Sequence, residues 1–160
     1  MRRIGLFLTF VLLTAFAPTA AADKPQKEQL PPGEDQVFPA GDVCPFTLGT
    51  HELTNRGKAI TFSDGSELIT GTYKLSHTNL DTGRSIAVNA SGPARFSAEG
   101  DVLHATQTGL SLLLATASQP GGPGALYIRG HVLYDVDLTT GEPLFLEVRG
   151  NIRDLCEDLG

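Results

Sequence analysis

The residues most suited to chemistry are four histidines, His51, His77, His104 and His131, set 26, 27 and 27 positions apart. Imidazoles carry protons near neutral pH or ligate metals. A zinc site needs about three of them converging on one ion at about 2.0–2.1 Å. Strand alternation sends His77 and His104 to an apolar face and His131 to a polar one, so the set does not converge and no metal is expected. Tyr73 and Tyr134 share the apolar face with His77 and His104. In a filled core these four would be buried polar groups bonded to one another or to backbone. Around a cavity they would orient a small apolar ligand or supply an acid–base pair. Tyr73, His77, His104 and Tyr134 are the candidate ligand-binding residues.

No other pattern points to catalysis. The chain has no G-x-S-x-G elbow, phosphate-binding loop, H-E-x-x-H or S-x-x-K. The run QPGGPG reads as a turn. Asp135 and Asp137 lie two apart on a strand's polar face, unlike paired carboxylates that oppose each other across a cleft. No cofactor is implied.

The elements that must position these residues alternate with period two. In LYIRGHVLYDVDL, Leu126, Ile128, Val132, Tyr134, Val136 and Leu138 share a face opposite Tyr127, Arg129, His131, Asp135 and Asp137. In LFLEVRG, Leu144, Leu146 and Val148 oppose Phe145, Glu147 and Arg149. A three-residue loop, Thr139-Thr140-Gly141, pairs Val136 with Leu144, Tyr134 with Leu146 and Val132 with Val148, apolar against apolar at each rung. An earlier hairpin takes a four-residue loop, Leu80 to Gly83. Turns at SDGS, LDTG, SGP, AEGD and TTGE separate the remaining strands. The expected fold is all-β: an antiparallel up-and-down meander of about eight strands closing into a small barrel, because closure removes exposed edges. A β-sandwich is the alternative.

Only NIRDLCEDL near the end reads as helical, and it carries Cys156, one of two cysteines. Cys44 is the other, 112 positions earlier. A Cys44–Cys156 disulfide would staple the helix to the start of the first strand, and the chain-entropy model values such a closure at about 4–5 kcal/mol. Neither cysteine has the CxxC partner of a redox site.

The beginning of the chain sets the compartment. MRR, the apolar run IGLFLTFVLLTAFA and the small residues PTAAA form a signal peptide over residues 1–22, too short an apolar run to span a membrane. The expected destination is extracellular, which favours the disulfide. Cleavage removes Arg2 and Arg3, so the formal net charge moves from −6 to −8. The remaining basic residues are scattered, which argues against nucleic acid or an anionic membrane as partner. Residues 23–36, rich in proline, charge and amide, read as a flexible leader. Residues 37–160 form the single domain.

The segments TNLDTGRS, QPGGPG and GNIRDLC, with the contexts of the two cysteines, resemble a group of small exported actinobacterial proteins of unestablished activity. More distantly, the expected architecture resembles the allene oxide cyclase and dirigent barrels. Neither resemblance carries a function; the polar residues on the apolar face of an expected barrel point to a secreted binding module that holds a small apolar ligand in its lumen or a protein partner through its loops. The cyclase likeness adds an alternative, a cofactor-free lyase or isomerase using a lumen His/Tyr pair.

Overall fold

A computed structural model describes residues 24–117, 119 and 122–160; the expected signal peptide lies outside the described residues. The elements are β1 (Gln26–Gln29), β2 (Gln36–Phe38), β3 (Leu48–Asn55), β4 (Lys58–Thr61), β5 (Glu67–Thr70), β6 (Tyr73–Asn79), β7 (Ser85–Asn89), β8 (Ala94–Glu99), β9 (Val102–Ala115), β10 (Gly124–Asp137), β11 (Pro143–Asp154) and α1 (Leu155–Leu159). Among the described residues the chain is all-β but for this one short helix.

Eleven strands make a seven-stranded sheet in the order β1-β4-β5-β8-β9-β10-β11 and a four-stranded sheet in the order β2-β3-β6-β7. The two are built from the same passes of chain. β3 runs into β4 across only two residues, and the antiparallel return pass is β5 running into β6. The Arg56 N–H donates to the Thr72 carbonyl at 2.8 Å, joining the two ladders at the bend. Gly71 makes that bend possible. Its φ is +135°, and a Cβ there would lie 2.3 Å from the Arg56 carbonyl oxygen, so no L side chain fits. β1–β2 and β7–β8 bend likewise, each leaving one half in each sheet. Successive passes are hydrogen-bonded neighbours throughout, which is an up-and-down order. The described ladders leave both sheets open, with no pairing of β11 to β1 or of β7 to β2.

The core lies where the four-stranded sheet faces α1 and the adjoining ends of β9 and β10. Leu48, Leu75 and Val88 point inward from the sheet to meet Ala125, Leu155 and Leu159, with Leu112 and Leu114 packed alongside. Leu155 and Leu159 stand four apart on one helix face and are both fully buried. Each such burial contributes about 1.5–3 kcal/mol. Asp154 caps the helix by accepting from the Cys156 N–H at 2.8 Å. Five residues cannot hold a helix alone. The Cys44–Cys156 disulfide fixes it over the end of the four-stranded sheet.

Two differences from the sequence reading concern pairing. Residues 26–29, expected to be flexible, form β1 on the edge of the large sheet, because β4 offers an unpaired ladder that their backbone can use although the four residues stay exposed. At the β10–β11 hairpin, Val132 faces Val148 and Tyr134 faces Leu146, but Val136 opposes Pro143 rather than Leu144. The Asp137 N–H bonds to the Glu142 carbonyl, so the loop holds four residues, and a bulge absorbs the offset.

Candidate functional site

The bends leave a half-open cavity of about 600 Å³ between the inner faces of the two sheets. Its wall is apolar where Ile69, Leu75, Phe96 and Leu112 line it. Polar groups reach it from β3 (Thr50 and Glu52), from β6 (Tyr73) and from β9 (Gln107 and Ser111). They are on one side because they alternate with outward residues: Thr50 and Glu52 flank exposed His51 on β3. Leu30, just after β1, closes one rim, held by the Leu30 N–H to the Gly57 carbonyl at 3.0 Å.

At this rim the Glu52 carboxylate is fixed: its Oε2 accepts from the Gly33 N–H at 2.9 Å and from Asn55 Nδ2 at 3.1 Å. Tyr73 stands beside it, with no partner for its hydroxyl among the described residues. A Cβ on Gly33 would lie 2.9 Å from Glu52 Oε2 and 3.7 Å from the Tyr73 hydroxyl oxygen, so both groups converge on one backbone position. Burial, with the Glu52 charge adding to it, raises the Tyr73 pKa above its usual value of 10.0. The phenol therefore stays protonated and can donate to a ligand, while Glu52 Oε1 can accept.

The other candidate residues stand farther back. His77 is fully buried on the same face of β6, with Nδ1 3.0 Å from the Thr50 hydroxyl, and its Nε2 has no hydrogen-bond partner. It supports the cavity wall through Thr50 and does not line it. Burial lowers its pKa from the usual 6.5, so the ring is neutral at physiological pH. Tyr134 is half-buried on the inner face of the large sheet. Its pKa is raised by burial, against which a hydrogen bond from the cavity residue Gln107 acts. Tyr134 thus meets the site only through Gln107.

His104 does not belong to this set. The register places Ala105 opposite Tyr134 and His104 opposite Asp135, so His104 points to the outer face, where its Nδ1 is 2.8 Å from Asp135 Oδ1. Expecting it on the apolar face was an error of parity, since the stretch 105–109 that follows His104 is small or polar on both faces and only the pairing of β9 with β10 decides. Ser97 lies opposite His104 on the other side, giving a serine, a histidine and a carboxylate in a row across three strands. These are the residue types of a nucleophile, its base and an orienting acid. No hydrogen bond joins Ser97 to His104 among the described residues, and none of the three lines a described cavity. Strand amides engaged in ladders leave no free pair of N–H groups for an oxyanion. The row is a hydrogen-bonded His–Asp pair on the outer face with a neighbouring serine.

His51 forms its own exposed pair with Asp35, at 2.6 Å. Among the described residues no group of three or more His, Cys, Asp or Glu could hold a metal ion. Thr50, Glu52, Gln107 and Ser111 were not singled out in the sequence. Thr50 and Glu52 alternate with Gly49, His51 and an exposed Leu53, so the apolar residue there points to the wrong side and nothing local marks theirs as inward.

No family model matches the chain. Comparison with curated proteins and with solved structures likewise gives no match.

Proposed function

We propose that this is a secreted binding protein whose meander wraps, in barrel fashion, around a small and mostly apolar ligand. The cavity between the sheets carries this reading. Its volume falls within the usual 300–1,000 Å³ of small-molecule sites, and its apolar lining with a few convergent polar groups fits their usual make-up. The rim selects further. A fixed Glu52 carboxylate and a protonated Tyr73 hydroxyl suit a ligand ending in a hydroxyl or a neutral or cationic amine. The Glu52 charge opposes a carboxylate, as does the chain's net charge of −6. The lyase or isomerase alternative lacks a comparable support, because of its two acid–base groups His77 is sealed behind Thr50 and His104 points to the outer face.

N-phenyl-1-naphthylamine, a neutral apolar amine that fluoresces on leaving water, tests the proposal. We expect saturable binding at one site per chain. Tyr73→Phe and Glu52→Gln should each weaken it by about two- to tenfold, the equivalent of one hydrogen bond of roughly 0.5–1.5 kcal/mol. Leu112→Arg, which puts a charged chain into the cavity, should abolish it. Binding unaffected by all three substitutions would place the probe elsewhere and sink the reading.

A further inference from the structure

The edges of the two sheets are unequally protected. β1 is four residues of Gln, Lys, Glu and Gln, β2 is three residues long and β7 is five. Short or charged strands are the usual protection against edge-to-edge association. β11 has none of it. It is 12 residues long, PLFLEVRGNIRD, contains no lysine, and has its only proline at the first position. Leu144, Phe145 and Ile152 along it are 56%, 45% and 49% exposed.

From these observations we propose that β11 pairs antiparallel with β11 of a second copy, about a two-fold axis through Val148, to make a homodimer with one continuous sheet. The strand's own sequence is the argument. Such an axis sets Glu147 opposite Arg149 of the second copy, and Arg149 opposite its Glu147. Within one chain these two side chains already form an ion pair; the dimer would extend it to four alternating charges on the outer face. On the other face Leu146 meets Gly150 and Val148 meets itself, and the count along the strand brings the exposed Leu144, at the bulge, opposite the exposed Ile152. An axis through Gly150 would instead set the half-buried Leu146 against the Asp154 carboxylate, and one through Leu146 would set Phe145 against Glu147. Only the Val148 register satisfies both faces.

The backbone agrees. Gly130 and Gly150 are partners on β10 and β11, and a Cβ built on Gly130 would stand 2.9 Å from the Gly150 Cα. So close an approach marks a pair without mutual hydrogen bonds. Gly150, and with it Val148, Leu146 and Ile152, therefore aim N–H and C=O away from β10, toward the open edge. A second β11 would satisfy them all, along about 40 Å of strand.

The test is the mass of the purified, disulfide-intact protein by light scattering, with melting temperature confirming that each variant is folded. We expect a dimer for the parent, and monomers for Ile152→Lys and Glu147→Arg. The double change Glu147→Arg with Arg149→Glu should restore the dimer, because the charge order is merely reversed. Val148→Cys, on the axis, should oxidise to a covalent dimer, whereas Leu144→Cys, facing residue 152, should not. A monomeric parent overturns the proposal, and protected β11 amides in that monomer would show another segment of the chain on the edge. A dimer indifferent to Ile152→Lys and to the charge reversal, with no cross-link at position 148, overturns it equally.

Discussion

His77 is the residue where burial has the clearest consequence. Its ring is sealed and neutral, with Nε2 unpartnered, and burial holds its pKa below 6.5. The unfolded chain therefore takes up the proton more readily than the folded one. Its contribution to stability is fully present above about pH 6.5 and is lost as pH falls below that value toward the depressed folded pKa. We expect the melting temperature to drop between pH 7 and pH 5. His77→Gln, which does not titrate and can still bond Thr50, should flatten that drop. An equally steep profile in the variant would assign the effect to another group. Asp64 and Asp137 shift in the opposite sense to that of a buried acid. The Ser66 hydroxyl and N–H hold Asp64 below the usual carboxylate range, and the N–H groups of Thr140 and Thr139 do so for Asp137. Their contributions are lost at lower pH, below about 3.8.

At the scale of elements, two hairpins use one turn. In Asn79-Leu80-Asp81-Thr82-Gly83-Arg84, Asn79 Oδ1 accepts from the N–H groups of Asp81 and Thr82, at 3.0 and 3.2 Å. In Asp137-Leu138-Thr139-Thr140-Gly141-Glu142, Asp137 Oδ1 accepts from Thr139 and Thr140, at 2.7 and 3.0 Å. Gly83 and Gly141 sit at φ of +78° and +73°, in the left-handed region that glycine alone enters without strain. The difference between the turns lies in burial. Asn79 is 2% exposed and its Nδ2 also donates to the Leu159 carbonyl at 3.1 Å, tying the hairpin to the helix end. Asn79→Ala should therefore cost roughly 1–3 kcal/mol in denaturant unfolding, and Asp137→Ala clearly less. Equal losses would mean that the helix tie is unimportant. Breaking the Cys44–Cys156 bridge by Cys156→Ser should cost about 4–5 kcal/mol, and Cys44→Ser with Cys156→Ser should cost little more. The Asn79 turn, most of the strands and the presence of a stapled C-terminal helix could be read from the sequence because each rests on local chemistry: an Asx side chain, a glycine, a two-residue period. The helix expected from Asn151 starts only at Leu155, because residues 151–154 pair with β10 instead. The Val136–Pro143 bulge could not, since one residue more or less in a loop changes no local preference.

For the whole molecule, the legible part was the order of passes and the illegible part was their bending. Period-two patterning predicts a strand but cannot report that β3 and β4 belong to different sheets, because the polar run from Thr54 to Lys58 carries no pattern that marks a bend. Only the close approach of Gly71 to Arg56 reveals it. The cavity depends on those bends, so Thr50, Glu52, Gln107 and Ser111 could not be gathered from the sequence. Tyr73 and His77 could, since they share one strand and one face. His104 was misplaced because the β9–β10 connection is long enough to leave its register open.

The disulfide closes a covalent ring from Cys44 to Cys156, and nearly all the sheet lies inside that ring. β1, β2 and Leu30 lie outside it, as a tail laid across the cavity's rim. Detaching the tail costs only the short β1–β4 and β2–β3 ladders and a few contacts, whereas displacing any other wall must strain a closed loop. The vessel thus has a fixed body and one peelable lip. Hydrogen exchange should show it directly, with amides of residues 26–29 exchanging through local opening long before those of β10. Protection of the two strands to the same degree would mean that the lip is as firm as the body.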